Sequence, residues 1–261
     1  MRLANHVAVI TGGGRGIGRA IALAFAREGT HLLLVSDVEA EVQAVAAEAR
    51  GLGQKALAMK ANVTSSDEMA ESARRAVSEL GRLDILVTCA GTDGPGLLLE
   101  QDEAEWRRVI DVNLFGTYLA IRAALPAMMA QRAGRIITIA SVFGKHGGHG
   151  FVTAYVTSKH GVIGLSRSLA AELGSLGYPE ITVNAVCPGY VRAGMWLGPQ
   201  PMKGGELPGP EIFERYLKHR VPQRRMLEAE EVANLAVFLA LPETRGMTGQ
   251  ALNIDGGFLM S

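Results

Sequence analysis

Short, nearly continuous apolar runs alternate along the chain with longer segments whose apolar residues recur every third or fourth position. The runs are β-branched or aliphatic and predict strands at Val7–Thr11, His31–Val35, Ala56–Lys60, Asp84–Thr88, Arg135–Ser141, Ile181–Val186 and Gln250–Ile254. The segments Arg19–Glu28, Glu39–Arg50, Asp67–Leu80, Ala104–Met129, Ala154–Leu173 and Glu230–Leu241 are rich in alanine, leucine, glutamate and arginine and predict helices. Strands that are apolar throughout bury both faces, so the pattern implies a parallel sheet with helices above and below it. The expected fold class is α/β, a doubly wound parallel sheet of about seven strands. A single domain over residues 1–261 is expected, because no linker-like stretch or internal repeat divides the chain. The segment Gly194–Gly209 is rich in glycine and proline and lacks a regular pattern, which points to a substrate loop near 193–220.

Composition adds exclusions. Apolar residues make up 48% and charged residues 20% of the chain, the balance of a soluble globular protein. The formal net charge is zero, which argues against a nucleic-acid partner held by a basic face. Basic residues gather only loosely, at Lys218, His219, Arg220, Arg224 and Arg225, which reads as a solvated loop. Cys89 and Cys187 offer neither metal-ligand spacing nor a disulfide framework, so no metal and a reducing compartment are expected. The chain passes early into the Val7–Ile10 strand pattern, and no apolar run is read as long enough to span a membrane. A cytoplasmic location without a membrane partner is the expectation.

The first strand ends in Thr11-Gly12-Gly13-Gly14-Arg15-Gly16-Ile17-Gly18 and leads straight into a helix. Glycines keep such a turn tight and let backbone N–H groups approach a pyrophosphate at the positive end of the helix. The spacing is Gly12-x-x-x-Gly16-x-Gly18, and the Lys-Ser/Thr pair of a phosphate-loop NTPase is missing. A dinucleotide and a Rossmann-type arrangement follow. The second strand ends in Val35-Ser36-Asp37, where an acidic group can accept hydrogen bonds from the adenosine ribose and would repel a 2′-phosphate. NAD is therefore favoured. Arg15 could neutralise that phosphate, which leaves NADP open, and Asp37 could instead cap the following helix.

Ser141 closes the fifth predicted strand, and Tyr155-Val156-Thr157-Ser158-Lys159 follows inside a helical stretch. The i,i+4 spacing sets Tyr155 and Lys159 on one helix face. A phenol ordinarily titrates near 10, and an adjacent ammonium is expected to pull it toward neutral pH.

Together these residues resemble the short-chain dehydrogenase/reductases of the compact type. The resemblance also takes in Ala90-Gly91, Asn113, Cys187-Pro188-Gly189-Tyr190-Val191 and Asn253-Ile254-Asp255-Gly256-Gly257. It implies that Tyr155 moves the hydroxyl proton while hydride passes to or from the nicotinamide. Ser141 would hold the substrate oxygen, Lys159 the nicotinamide ribose, and Asn113 a water that extends the proton relay. Gly12, Gly16, Ile17 and Gly18 would face the pyrophosphate, and Pro188, Gly189 and Val191 the nicotinamide. Ser36, Asp37, Asn62 and Val63 would meet the adenosine half, with Ala90 and Gly91 beside them. A homotetramer with its long helices and last strand at subunit contacts is implied as well.

This sequence departs from the family pattern at Thr88-Cys89, which replaces a polar tie between strands, at the uncharged Asn62, and at Ala193, where a hydroxyl is usual. Met195, Trp196, Leu197, Met202, Leu207, Ile212, Phe213 and Tyr216 place apolar side chains on the expected substrate loop. Phe143 and His146 follow Ser141 closely and are expected, with Trp196, to border the substrate. The leading reading is a dehydrogenase of a secondary alcohol, with cyclic alcohols and diols included, or of its ketone. Alternatives are an NADPH-dependent ketoacyl or polyketide-type reductase and a nucleotide-binding sensor that has lost catalysis.

Overall fold

The computed structural model describes residues 1–148, 150–193, 201–202, 205–206 and 217–260. Seven parallel strands form one sheet: β1 Val7–Thr11, β2 His31–Ser36, β3 Ala56–Lys60, β4 Ile85–Thr88, β5 Gly134–Ile139, β6 Ile181–Pro188 and β7 Ala251–Ile254. Their order across the sheet is β3-β2-β1-β4-β5-β6-β7. The chain builds outward from β1 in one direction and then restarts at β4 on its other side. That reversal opens a crevice at the carboxyl ends of the strands, where doubly wound folds bind ligands. A two-residue antiparallel ladder, Pro201–Met202 with Gly205–Glu206, lies outside this sheet.

The helices are α1 Gly16–Arg27, α2 Glu39–Gly51, α3 Ser66–Leu80, α4 Glu103–Ile110, α5 Gly116–Gln131, α6 Thr153–Ser175 and α7 Ala229–Ala240. On one face of the sheet α1 and α7 pack together, burying Ile21, Phe25 and Val232 completely. On the other, α3 and α5 close over Met69, Leu86 and Met128. Each fully buried aliphatic or aromatic side chain contributes roughly 1.5–3 kcal/mol, so these paired layers fix the sheet. Local signals set the helix ends. Ser65 accepts the Glu68 N–H to start α3, and Gly81, at φ 94°, ends it in the left-handed region. A reciprocal Glu228–Glu231 capping box starts α7. At the amino ends of the central strands, the Asp84 carboxylate accepts the Val7 N–H at 2.9 Å, and Asp84 leads into β4 instead of lying in it.

The predicted helix over 104–129 is one continuous path, interrupted by a π-helical turn at Asp111–Phe115. Contrary to the expectation from sequence, Glu103–Gln131 is long and apolar enough, by length and composition, to cross a membrane. In this fold it serves as a packing helix, with α5 against α3 and α4 against α6. Most of the segment expected as a substrate loop, including Trp196, lies outside the described residues.

Candidate active site

A cleft of about 520 Å³ runs along the carboxyl edge of the sheet. At one end it is floored by the turn between β1 and α1. Gly12 has φ +66°, and a Cβ there would stand 2.7 Å from the Ala90 nitrogen; a Cβ on Gly18 would run into the Gly12 carbonyl. Gly16, at φ 53°, opens α1. The N-cap is the extended Arg15, which makes no side-chain cap, and the first turn carries no acidic residue. The positive end of α1 is thus left for an anion, and a cradle this tight fits a pyrophosphate.

Ser36 and Asp37 line the same end, as do Asn62 and Val63. Asp37 is exposed, and Val38, not Asp37, is the N-cap of α2, so the capping alternative is not realised. The Ser36 hydroxyl donates to the Asp37 carboxylate at 3.3 Å. The Asn62 side-chain oxygen accepts both the N–H and the hydroxyl of Thr64, at 3.0 and 2.9 Å. Arg15 is largely exposed, and its guanidinium is 3.9 Å from the carboxylate of Glu41 on α2.

At the opposite end Ser141, Phe143, Tyr155, Lys159, Pro188, Gly189 and Val191 come together, with Ala90 and Gly91 between the two ends. Tyr155 and Ser141 face the cleft together, near enough for the serine hydroxyl to act on the phenol, and the Ser141 hydroxyl oxygen accepts the Phe143 N–H at 3.1 Å. The Lys159 ammonium donates to the Ile139 carbonyl at 2.9 Å and lies 5.6 Å from the centre of the Tyr155 ring. Burial pushes the Tyr155 phenol up to about 12, against the pull of the Ser141 hydroxyl. The same burial brings Lys159 down to about 8. This corrects the expectation that the lysine alone draws the phenol toward neutral pH, since desolvation of both groups outweighs their spacing.

Two further expected residues fall elsewhere. Asn113 sits behind the cleft wall in the π-helical turn. Its amide accepts the Thr92 N–H at 2.8 Å and donates to the Thr92 carbonyl at 2.8 Å and the Ser158 hydroxyl at 2.9 Å. Ser158 in turn donates to the Tyr155 carbonyl at 2.7 Å, so Asn113 joins the loop after β4 to the turn of α6 that carries the phenol. His146 does not line the cleft. Its ring packs edge-on against Phe258 at 5.9 Å, and its Nδ1 accepts the Gly148 N–H at 3.0 Å, which turns it away from the substrate end.

The sequence model of a family described as enoyl-(acyl carrier protein) reductase matches residues 12–259. A 3-oxoacyl-[acyl-carrier-protein] reductase of Staphylococcus epidermidis is 37% identical over 257 residues, 98% of this chain and all of that protein. The chain is a short-chain dehydrogenase/reductase. Oxidoreductase UcpA of Escherichia coli is 37% identical, covering 98% of this chain and 95% of its own. Among solved structures, a Sinorhizobium meliloti protein described as a short-chain alcohol dehydrogenase superposes with TM-score 0.89 at 30% identity, covering 99% of this chain and 98% of that one. A variant of actinorhodin polyketide ketoreductase with NADPH superposes with TM-score 0.88 at 34% identity, covering 97% of each chain.

One departure of this short-chain dehydrogenase/reductase from its family pattern, the strand tie lost at Cys89, is locally compensated. The Thr11 hydroxyl accepts the N–H groups of Cys89 and Ala90, at 3.2 and 3.3 Å, and supplies the tie between β1 and β4. The Thr88 hydroxyl is buried without a hydrogen-bond partner. Ala193 lines the cleft. Sequence reasoning missed Thr92, Asp93 and Arg108, which also line it. The signal for Thr92 and Asp93 was their position just after Ala90-Gly91, in a loop with no regular pattern of its own; Arg108, on α4, offered none.

Proposed function

We propose that this reductase interconverts a secondary alcohol and its ketone with NAD(H). The observation that carries the reading is that Ser141, Tyr155 and Lys159 line one cleft with a glycine cradle and the acidic Asp37. Gly12, Gly16, Ile17 and Gly18 would hold the pyrophosphate and Asp37 the adenosine ribose, with Ser36, Asn62 and Val63 around the base. Lys159 would hold the nicotinamide ribose, and Pro188, Gly189 and Val191 the ring. When bound, the nicotinamide supplies or accepts hydride. Ser141 would fix the substrate oxygen, and Tyr155 would pass it a proton. A phenol raised to about 12 is protonated at neutral pH, which suits it as the donor in ketone reduction. Asn113 would act by positioning the loop after β4 and the Tyr155 turn.

The named relatives favour a second reading, reduction of a 3-oxoacyl thioester with NADPH. Steady-state turnover of ketones and of an acetoacetyl thioester with each dinucleotide separates the two. The NAD(H) reading expects NADH to be the better reductant by about tenfold or more, through Asp37 and its repulsion of a 2′-phosphate. Asp37→Arg should then invert the preference; better efficiency of the unaltered enzyme with NADPH overturns it.

A homotetramer and a cytoplasmic location belong to the same proposal. Phe115 and Tyr118 stack with ring centres 5.6 Å apart on the outer side of the α5 region, and Phe238 is exposed on α7. Apolar faces of this kind suit subunit contacts. Cys89 and Cys187 are both free thiols, as a reducing compartment would keep them. Light scattering of the purified protein tests the assembly.

A further inference from the structure

The substrate end carries a charged group with no assigned work. Asp93 lines the cleft with Ser141, Val142, Phe143 and Tyr155. The peptide groups around it are fastened on the far side of the wall. Arg108 donates to the Asp93 carbonyl at 3.0 Å and to the Thr92 hydroxyl at 2.8 Å. Gln101 donates to the Gly94 carbonyl at 2.7 Å, and a Cβ on Gly94 would stand 2.8 Å from Val109 of α4. Asn113 clamps Thr92, and the Gly96 N–H reaches the Phe151 carbonyl at 2.8 Å. These bonds fix the backbone that carries Asp93 at the cleft wall.

Arg108 acts on the Asp93 charge from a distance and does not pair with it, since its Nε and Nη2 are both bonded to Glu105 at 2.7 Å. Among the described residues no side chain donates to the Asp93 carboxylate. Of the described residues lining the cleft, Asp37 and Asp93 are the acidic ones, and Asp37 belongs to the cofactor end. The backbone N–H of Asp93 is itself a donor within reach of the carboxylate, and a half-buried carboxylate keeps acceptor capacity that a ligand hydroxyl can use. Burial raises its pKa, and its charge contributes to the raised pKa of Tyr155, which places it within electrostatic reach of the phenol.

We infer that Asp93 is a specificity-determining residue that accepts a hydrogen bond from a hydroxyl carried close to the reacting carbonyl, so that hydroxyketones and diols are preferred over plain ketones and alcohols. The inference rests on the ketone–alcohol reading above. The readout is the ratio of kcat/KM within matched pairs, acetoin against butanone and hydroxycyclohexanone against cyclohexanone, with the full-length enzyme and saturating dinucleotide. The unaltered enzyme should prefer the hydroxylated member by about tenfold or more. Asp93→Ala should bring the ratio close to one, mainly through KM for the hydroxyketone. Asp93→Asn, whose amide oxygen still accepts a hydrogen bond, should keep part of the preference. Turnover of the plain ketones without a hydroxyl preference in the unaltered enzyme overturns the role of Asp93 and leaves the dehydrogenase reading standing. A ratio unchanged in Asp93→Ala does the same. Failure of the unaltered enzyme to reduce any of these ketones, while it reduces the acetoacetyl thioester, overturns both.

Discussion

The two ends of the cleft are built from different materials. The dinucleotide end is mostly backbone: a glycine turn, the first turn of α1 and the tips of β1 and β2. The reaction end is made of side chains on a braced backbone: Tyr155 beside Ser141, Lys159 donating to the Ile139 carbonyl, and Asp93 on a loop gripped by Arg108 and Asn113. A backbone cradle recognises a group that does not vary and tolerates little change in its own residues. A side-chain wall can be altered one residue at a time, so specificity is adjusted there.

The contrast makes predictions of graded size. Tyr155→Phe removes the proton donor and keeps the ring. Turnover should fall about 10³-fold, with dinucleotide affinity, read by fluorescence titration, changing far less; retained turnover would break the assignment. Gly18→Ala tests the other end. Its Cβ would press on the Gly12 carbonyl, an overpacking cost of about 1–3 kcal/mol. Dinucleotide affinity should drop about 10- to 100-fold, and an unchanged affinity would show that the turn has slack. The smallest effect concerns pH. Asp93 raises the Tyr155 pKa, so Asp93→Asn should lower it and move the alkaline rise of alcohol oxidation to lower pH. At a fixed pH on that limb the rate should change by about twofold to fivefold, and a shift toward higher pH would contradict the geometry.

Much of the backbone end was legible in the sequence, because it depends on local pattern. β1 and β3 begin and end where their apolar runs do. The glycine turn was placed correctly, but α1 starts at Gly16 and not at Arg19. Glycines read as helix breakers, and here two of them form the first turn, Gly16 for its positive φ and Gly18 because a Cβ would meet the Gly12 carbonyl. β5 stops at Ile139, since the chain turns into a short 3-10 segment that presents Ser141. The side-chain end was only half legible. Spacing put Tyr155 and Lys159 on one face, but no spacing rule reveals that the ammonium is spent on the Ile139 carbonyl or that burial governs both groups. His146 packs in an aromatic cluster with Phe143 and Phe258 one layer behind the cleft lining. Asp93 was passed over because its meaning comes from Arg108, Gln101 and Asn113, none of which announces a partner from sequence.

The π-helical turn at Asp111–Phe115 has a mechanical consequence. It works as a phase shifter: one surplus residue lets α4 and α5 run end to end while presenting faces that a regular helix could not offer together. Deleting one residue from 111–115 would restore ordinary winding and turn everything upstream by about 100° relative to α5. Arg108 and Asn113 could not then both reach Thr92. An irregularity of one residue is thus what allows a single rod of helix to be a structural beam at one end and the clamp of a binding loop at the other.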